Sequence, residues 1–222
     1  MLQDKTLQFL KDIKENNNKA WLDANRNAFV STKEDFEQVV TKVIDTFGKK
    51  EEEIAMLKAK ECIFRQNRDV RFSKDKSPYK IHMGASIDRG GKKSGFAGYY
   101  FHCEPRNKSF VGGGLWMPEA PALKKVRQEI DYCWNEFSKM LTDKKFVAQY
   151  GDLDIAEYTL SREPKGYEKD NPAIKYLKLK SFVALRPLTD EELMNKDLVK
   201  KIATAFEALK PIIRFINRSI ED

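Results

Sequence analysis

The hydrophobic period of this chain changes twice along its length, and this change limits the folds that the chain can adopt. Near both ends, apolar residues recur three and four positions apart, which is the spacing of amphipathic helices. Between about Cys62 and Trp116, short aromatic and β-branched runs are separated by turn residues. This order predicts an α+β fold, in which a central antiparallel sheet has N- and C-terminal helices packed on one face.

Apolar stripes mark the helical segments. Ser31 followed by Glu34, and Thr189 followed by Glu192, have the form of capping boxes and predict that helices begin at these points. The apolar positions of the stripes are Leu7 and Leu10; Phe36, Val39, Val40, Val43, Ile44 and Phe47; Leu123, Val126, Ile130, Cys133, Trp134, Phe137 and Leu141; and Leu198, Ile202, Phe206, Leu209, Ile213 and Ile216.

The middle region contains four short runs with strand composition, which read CIFR, YKIHMGASI, FAGYYFHCE and SFVGGGLWM. The connectors at residues 90–95 and 105–108 are short enough for hairpins, so three of these runs are expected to form an antiparallel meander. The three consecutive glycines at 112–114 favour a β-bulge over a ligand-facing backbone. A further strand is expected over residues 181–188.

Length and cysteine content favour a single cytosolic domain. A chain of 222 residues can bury a sufficient core without a disulfide or structural metal, and one domain over residues 1–222 is expected. Cys62, Cys103 and Cys133 are odd in number and form no CxxC motif, as expected for buried, reduced thiols. The start is unlike a leader and no apolar stretch reaches membrane-spanning length, so a cytoplasmic protein without a membrane partner is predicted.

The positive charge of the chain is concentrated in one segment. The formal net charge is +7, and the 36 residues from Lys58 to Lys93 carry eleven lysines and arginines against four acids. The acids and bases of the remaining chain therefore balance. A basic patch confined to one segment indicates a local feature and not a diffuse solubility charge.

The richest part of this segment is residues 65–80, RQNRDVRFSKDKSPYK. Its arginines are three residues apart and would share one face of a helical turn, and guanidinium groups grip phosphate or carboxylate with two hydrogen bonds. We expect Arg68, Arg71 and at least one of Lys74 or Lys80 to converge on one concave surface, with Arg65 as the outlier. The alternative is a solvated loop, or one braced by its own acids. The predicted ligand-binding residues are Arg65, Arg68, Arg71, Lys74, Lys76, Tyr79 and Lys80.

The two histidines are the candidate proton-transfer residues. His82 and His102 fall on neighbouring predicted strands beside the basic block. His82, on the same strand face as Lys80, is the predicted general base, whereas His102 is expected to be structural. No metal site is predicted, because the adjacent His102 and Cys103 would point to opposite faces of a strand. No cofactor is predicted, since no Walker, GxGxxG, GxSxG, HExxH or CxxC motif is present.

The block RDVRFSKDKSPYK, followed by GYYFHCEP, SFVGGGLWMPE and KGYEKDNPAIKYLKLKSF, resembles a mainly bacterial family of unknown function, DUF2461. The likeness extends over nearly the full chain. It implies family membership and an α+β fold, and it implies no activity, catalytic residue or cofactor. Gln66 and Cys103 depart from the family pattern, and neither is among the cationic residues of the block.

Three functions are compatible with these features. The first is a binding module whose basic block holds a phosphorylated small molecule or a nucleic-acid backbone. A small ligand is favoured, because the sequence contains neither a continuous basic helix nor a row of stacking aromatics. The second is an enzyme that holds an anionic substrate with the same cations and uses His82 as a base. The third is a structural role within an assembly. Oligomeric state cannot be read from the sequence.

Overall fold

The structure is a computed structural model that describes residues 1–155 and 159–221. The described residues form eleven helices and four strands. In chain order these are α1 (Asp4–Glu15), α2 (Lys19–Ala24), α3 (Arg26–Phe47), α4 (Glu52–Ala55), α5 (Ala59–Cys62), β1 (Met83–Asp88), β2 (Gly98–Cys103), β3 (Ser109–Leu115), α6 (Ala120–Tyr132), α7 (Trp134–Leu141), α8 (Lys144–Tyr150), α9 (Ile174–Leu177), β4 (Phe182–Leu188), α10 (Asp190–Met194) and α11 (Leu198–Glu221).

The four strands form one antiparallel sheet in the order β1-β2-β3-β4. The predicted meander of β1, β2 and β3 and the predicted later strand are both confirmed. The run CIFR adds only an isolated antiparallel bridge from Ile63 to Ala85 beside β1. Helices and an antiparallel sheet together confirm the α+β fold class.

The long helices α3 and α11 pack on one face of the sheet. The ring of Phe101 on β2 stacks on Phe36 of α3, with centroids 5.4 Å apart. The ring of Tyr99 contacts Phe47 of α3 and Phe206 of α11, each with centroids 4.9 Å apart. Because successive strand residues point to opposite faces, the even-numbered residues of β2 face away from these helices. We call that side of the sheet the outer face.

Three local predictions are wrong. Residues 65–80 form no helical turn, and Ser31 lies inside α3, which begins at Arg26. The glycines of β3 form no bulge, since each pairs in unbroken register with both neighbouring strands. Gly114 has a φ of +130°, and a Cβ there would lie 1.9 Å from the carbonyl oxygen of Phe182. Glycine is therefore required at 114 by backbone conformation and close strand approach.

Two of the three thiols are buried, as predicted, and the third is not. Cys62 and Cys103 lie in the core, whereas Cys133 is partly exposed. Within the described ranges, every helix is too short or too polar to cross a lipid bilayer.

Candidate functional site

Residues 65–80 form an irregular hairpin that leads into β1. The N–H of Arg68 donates to the carbonyl of Pro78 (2.9 Å), and the N–H of Lys80 donates to the carbonyl of Gln66 (2.8 Å). The side-chain amide of Gln66 is buried and also donates to the carbonyl of Lys80. These bonds pair the two arms of the hairpin and fix the backbone of Lys80.

A side chain from the N-terminal helices holds the hairpin against the rest of the fold. The side-chain oxygen of Asn17, between α1 and α2, accepts the N–H of Tyr79 at 3.0 Å. Its side-chain nitrogen donates to the carbonyl of Tyr79 at 2.9 Å. Tyr79 itself is 7% exposed, so its side chain is part of the core and not of an open ligand surface.

The arginines of the hairpin tip are paired with neighbouring acids. Arg68 forms an ion pair with Asp75 and donates to the carbonyl of Ser77 at 3.1 Å. Arg71 binds Asp69 through two side-chain nitrogens, at 3.0 and 2.7 Å. The structure therefore gives both guanidinium groups the bracing contacts that the alternative interpretation of the block expects.

The lysines of the tip also stand apart from any converging set. The ammonium of Lys76 donates to the carbonyl of Val70 at 3.0 Å, and Lys74 is exposed. The two groups that bridge the tip, Lys76 and Arg68, stabilise the loop conformation through backbone carbonyls. We find no contact between these side chains and Lys80 among the described residues.

A different set of cations gathers at the base of the hairpin, around the ring of Phe64. The ammonium of Lys80 lies 5.2 Å from the ring centroid, and that of Lys92, from the turn between β1 and β2, lies 5.8 Å from it. Lys92 also donates to the carbonyl of Ile63 at 2.7 Å. Arg65 is close enough for its charge to act on Lys80. We call Arg65, Lys80 and Lys92 the cation cluster.

An acid lies within electrostatic range of the cation cluster, since hydrogen bonds from Arg71, and to a smaller extent the charge of Arg65, lower the pKa of Asp69. Within residues 1–155 and 159–221, however, none of the three members of the cluster forms an ion pair. Partial burial, and then the positive charges of Arg65 and Lys92, lower the pKa of Lys80. The cluster therefore concentrates positive charge on a partly buried surface.

The histidines lie next to this cluster on the outer face. Tyr100 on β2 contacts both Phe64, at the cation cluster, and His102. Its ring centroid lies 6.3 Å from that of Phe64, and its hydroxyl oxygen lies 3.4 Å from Nδ1 of His102. The imidazoles of His82 and His102 have centroids 4.4 Å apart. Nε2 of His102 lies 3.3 Å from Oε2 of Glu104. We call His82, His102 and Glu104 the His–Glu cluster.

Burial disfavours the charged forms of both imidazoles. Desolvation, with a smaller contribution from the charge of His102, lowers the pKa of His82 to about 4. Desolvation also lowers the pKa of His102, although Glu104 opposes the shift. Both rings are therefore neutral at neutral pH, and His82 is a weaker base than an ordinary histidine.

Several residues of the site are not among those that the sequence predicts. Phe64 and Gln66 flank Arg65, and Lys92 enters the sequence prediction only through the net charge of residues 58–93. Glu104 likewise has no predicted role. The alternation of β2 places Tyr100 and His102 on one face and, continued one residue past the end of the strand, adds Glu104, so the grouping follows once the strand is recognised.

Comparison with known proteins identifies the family. The family described as a conserved hypothetical protein, DUF2461, matches residues 5–215. The comparisons with curated proteins and with solved structures gave no match. The chain therefore belongs to the DUF2461 family, as the RDVRFSKDKSPYK block and the segments that follow it predict.

Proposed function

We propose that this member of the DUF2461 family binds a small phosphate-bearing ligand at the cation cluster. The observation that carries the proposal is the arrangement of Lys80 and Lys92 over one aromatic ring, with Arg65 beside them and, among the described residues, no acid in an ion pair with any of the three. Folding brings these like charges together, and their repulsion costs free energy that an anion would recover.

The chemistry of the cluster suits a phosphate group. Two ammonium groups and a guanidinium offer several N–H donors, and charge-assisted hydrogen bonds to phosphate are stronger than neutral ones. The side chains of Lys80 and Lys92 are partly buried, so their bonds to an anion are less screened by salt than those of surface lysines. The proposal narrows the predicted binding residues to Arg65 and Lys80 and adds Lys92.

A nucleic-acid backbone is the less favoured ligand. A protein that follows such a backbone neutralises several successive phosphates with exposed cations. Here the neighbouring cations Arg68 and Arg71 are paired with acids, so they are not free to neutralise successive phosphates. An enzyme that uses His82 as its base is also less favoured, because the lowered pKa weakens that base.

Ligand-dependent stabilisation tests the proposal. We expect pyrophosphate to raise the Tm of the full chain by roughly 5–10 °C at about a hundredfold excess over Kd, with ionic strength matched by sodium chloride. In Lys80→Met, the loss of one charge-assisted contact should weaken binding by about 10- to 100-fold. The measurement is a thermal-shift titration, with calorimetric titration for Kd.

Lys74→Met is the matched control, since Lys74 belongs to the same hairpin and is exposed. It should bind pyrophosphate as the parent chain does. Equal losses in Lys74→Met and Lys80→Met, or a parent chain that pyrophosphate does not stabilise beyond sodium chloride, would contradict the proposal. Tight and strongly salt-dependent retention of RNA or DNA would instead assign the cluster to nucleic acid.

A further inference from the structure

The His–Glu cluster has the spacing of a metal site. One ligand atom from each of its three residues can be chosen so that all three lie within 4.8 Å of one another. Nε2 of His102 and Oε2 of Glu104 are 3.3 Å apart. In a tetrahedral zinc site with bonds of about 2.1 Å, neighbouring ligand atoms lie roughly 3.4 Å apart. One ion can therefore bind His102 and Glu104 with little movement, and His82 must approach slightly.

From this geometry we propose that His82, His102 and Glu104 bind a divalent transition-metal ion of the zinc class. Two imidazoles and one carboxylate are a donor set that such ions take in proteins. Three protein ligands leave one coordination position for water or an anion. This proposal is independent of the cation cluster, because none of the three ligands belongs to it.

The contacts around His102 are of the kind that orient a metal-binding histidine. Ligating histidines usually give their second ring nitrogen to a hydrogen-bonding partner, and the hydroxyl of Tyr100 lies 3.4 Å from Nδ1 of His102. The ring of Phe110 stacks on His102 with centroids 4.6 Å apart and planes 9° apart. Gly84 makes room for the hydroxyl, because a Cβ there would lie 2.3 Å from it. Nε2 of His102 is thereby aimed at Glu104.

A simple structural hydrogen bond explains only part of the cluster. The contact between His102 and Glu104 could serve folding alone, and Lys108 lies 3.9 Å from the other oxygen, Oε1, of Glu104. His82 takes no part in this hydrogen bond. In the part of the chain that the structure describes, its ring nitrogens have no hydrogen-bond partner in the protein and are not sealed from solvent, so an ion can reach them, and the ring packs against His102. A shared metal ion would give a ring nitrogen of His82 a bonding partner, and Oε2 of Glu104 would be a second ligand of the same ion.

Cobalt and zinc titrations test the site. The tag-free full chain is stripped with a chelator and titrated with Co²⁺ while the visible absorption is recorded, and with Zn²⁺ by calorimetry. We expect one equivalent of each ion to bind. His82→Gln and Glu104→Gln should each reduce the affinity at least about tenfold, because each removes one ligand. Lys80→Met should bind both ions at least as tightly as the parent chain, because it removes a positive charge that acts on His82, and this outcome separates the site from the cation cluster.

Two controls make the outcome unambiguous. Glu119→Gln removes an exposed carboxylate at the start of α6, and Cys133→Ser removes the partly exposed thiol. Both should retain the equivalent of metal. Circular dichroism of each variant confirms folding, and if His82→Gln fails to fold, Glu104→Gln decides. Absence of binding by the parent chain, unchanged binding in folded Glu104→Gln, or loss of the metal in Cys133→Ser would overturn the proposal.

Discussion

At the scale of single residues, the outer face contains a carboxyl group whose burial is only weakly compensated. Asp88, at the end of β1, is 8% exposed, and its carboxylate lies over Gly98, where a Cβ would be 1.8 Å from Oδ1. Burial raises the pKa of Asp88 to about 6, against a smaller opposing effect of the Ser86 hydroxyl, which donates to it at 2.8 Å. The neutral form of Asp88 is therefore the form that the fold favours.

This raised pKa predicts a pH-dependent stability. Below about pH 4 the carboxyl is protonated in both folded and unfolded chains, so it adds no pH dependence there. As pH rises from about 4 to about 6, the unfolded chain releases the proton first, and the free energy of unfolding falls by up to ~3 kcal/mol. Asp88→Asn should remove this fall and be more stable than the parent chain at pH 7. Urea unfolding at several pH values measures it.

Asp170→Asn, at an exposed position, is the control, and its free energy of unfolding should change with pH as that of the parent chain does. The account of Asp88 fails if the unfolding free energies of Asp88→Asn and the parent chain differ by the same amount at pH 4 and at pH 7.

Single residues also show what the sequence could not reveal. The role of Gln66 depends on the fold, because its buried amide lies against the carbonyls of Lys80 and His82, the latter at 3.4 Å. In contrast, Thr189 and Glu192 form the predicted capping box, with a bond of 3.1 Å in each direction. Capping depends on residues three apart, whereas the partners of Gln66 are 14 and 16 residues away.

At the scale of elements, the hairpin of residues 65–80 explains why the spacing of the arginines wrongly predicted a helical turn. A three-residue period predicts a shared helical face, but this segment is rich in residues whose side chains bind nearby backbone groups. The carboxylate of Asp75 accepts the N–H of Ser77 at 2.9 Å, and that of Asp69 accepts the N–H of Arg71 at 3.3 Å. Such local bonds compete with a helix, and the pairing of the two arms then fixes the extended form.

The attachment of this hairpin by Asn17 gives a second stability prediction. Asn17→Ala removes both hydrogen bonds to the backbone of Tyr79 and should lower the free energy of unfolding by about 1–3 kcal/mol. Because Lys80 follows Tyr79, the variant should also bind pyrophosphate more weakly than the parent chain. Urea unfolding and calorimetric titration of the same samples measure the two effects.

The neighbouring Asn16→Ala is the matched control, because the side chain of Asn16 is exposed and donates to the carbonyl of Asp12 within its own helix region at 3.0 Å, not to the hairpin. Its effect on stability should be smaller, and its pyrophosphate affinity should not change. Equal effects of the two substitutions would show that Asn17 has no special role in holding the hairpin.

At the scale of the whole molecule, the hydrophobic period was sufficient to predict the fold class. The apolar stripes on α3 and α11 bury one face of the sheet, and the alternation in β2 then assigns Tyr100 and His102, with Glu104 just beyond the strand, to the outer face. The composition of the cation cluster was not predictable in this way. Arg65, Lys80 and Lys92 meet because the hairpin and the turn between β1 and β2 fold over the same ring, and no local pattern encodes that meeting.

The location of a bound anion tests the central claim most directly. Crystals of the full chain soaked in tungstate, a heavy analogue of phosphate, would reveal the anion by its anomalous scattering. We predict one principal peak within hydrogen-bonding distance of the ammonium groups of Lys80 and Lys92, beside Phe64, and no such peak in crystals of Lys80→Met. A principal peak at Arg68 and Arg71 of the hairpin tip, or no ordered anion near Phe64, would contradict the account.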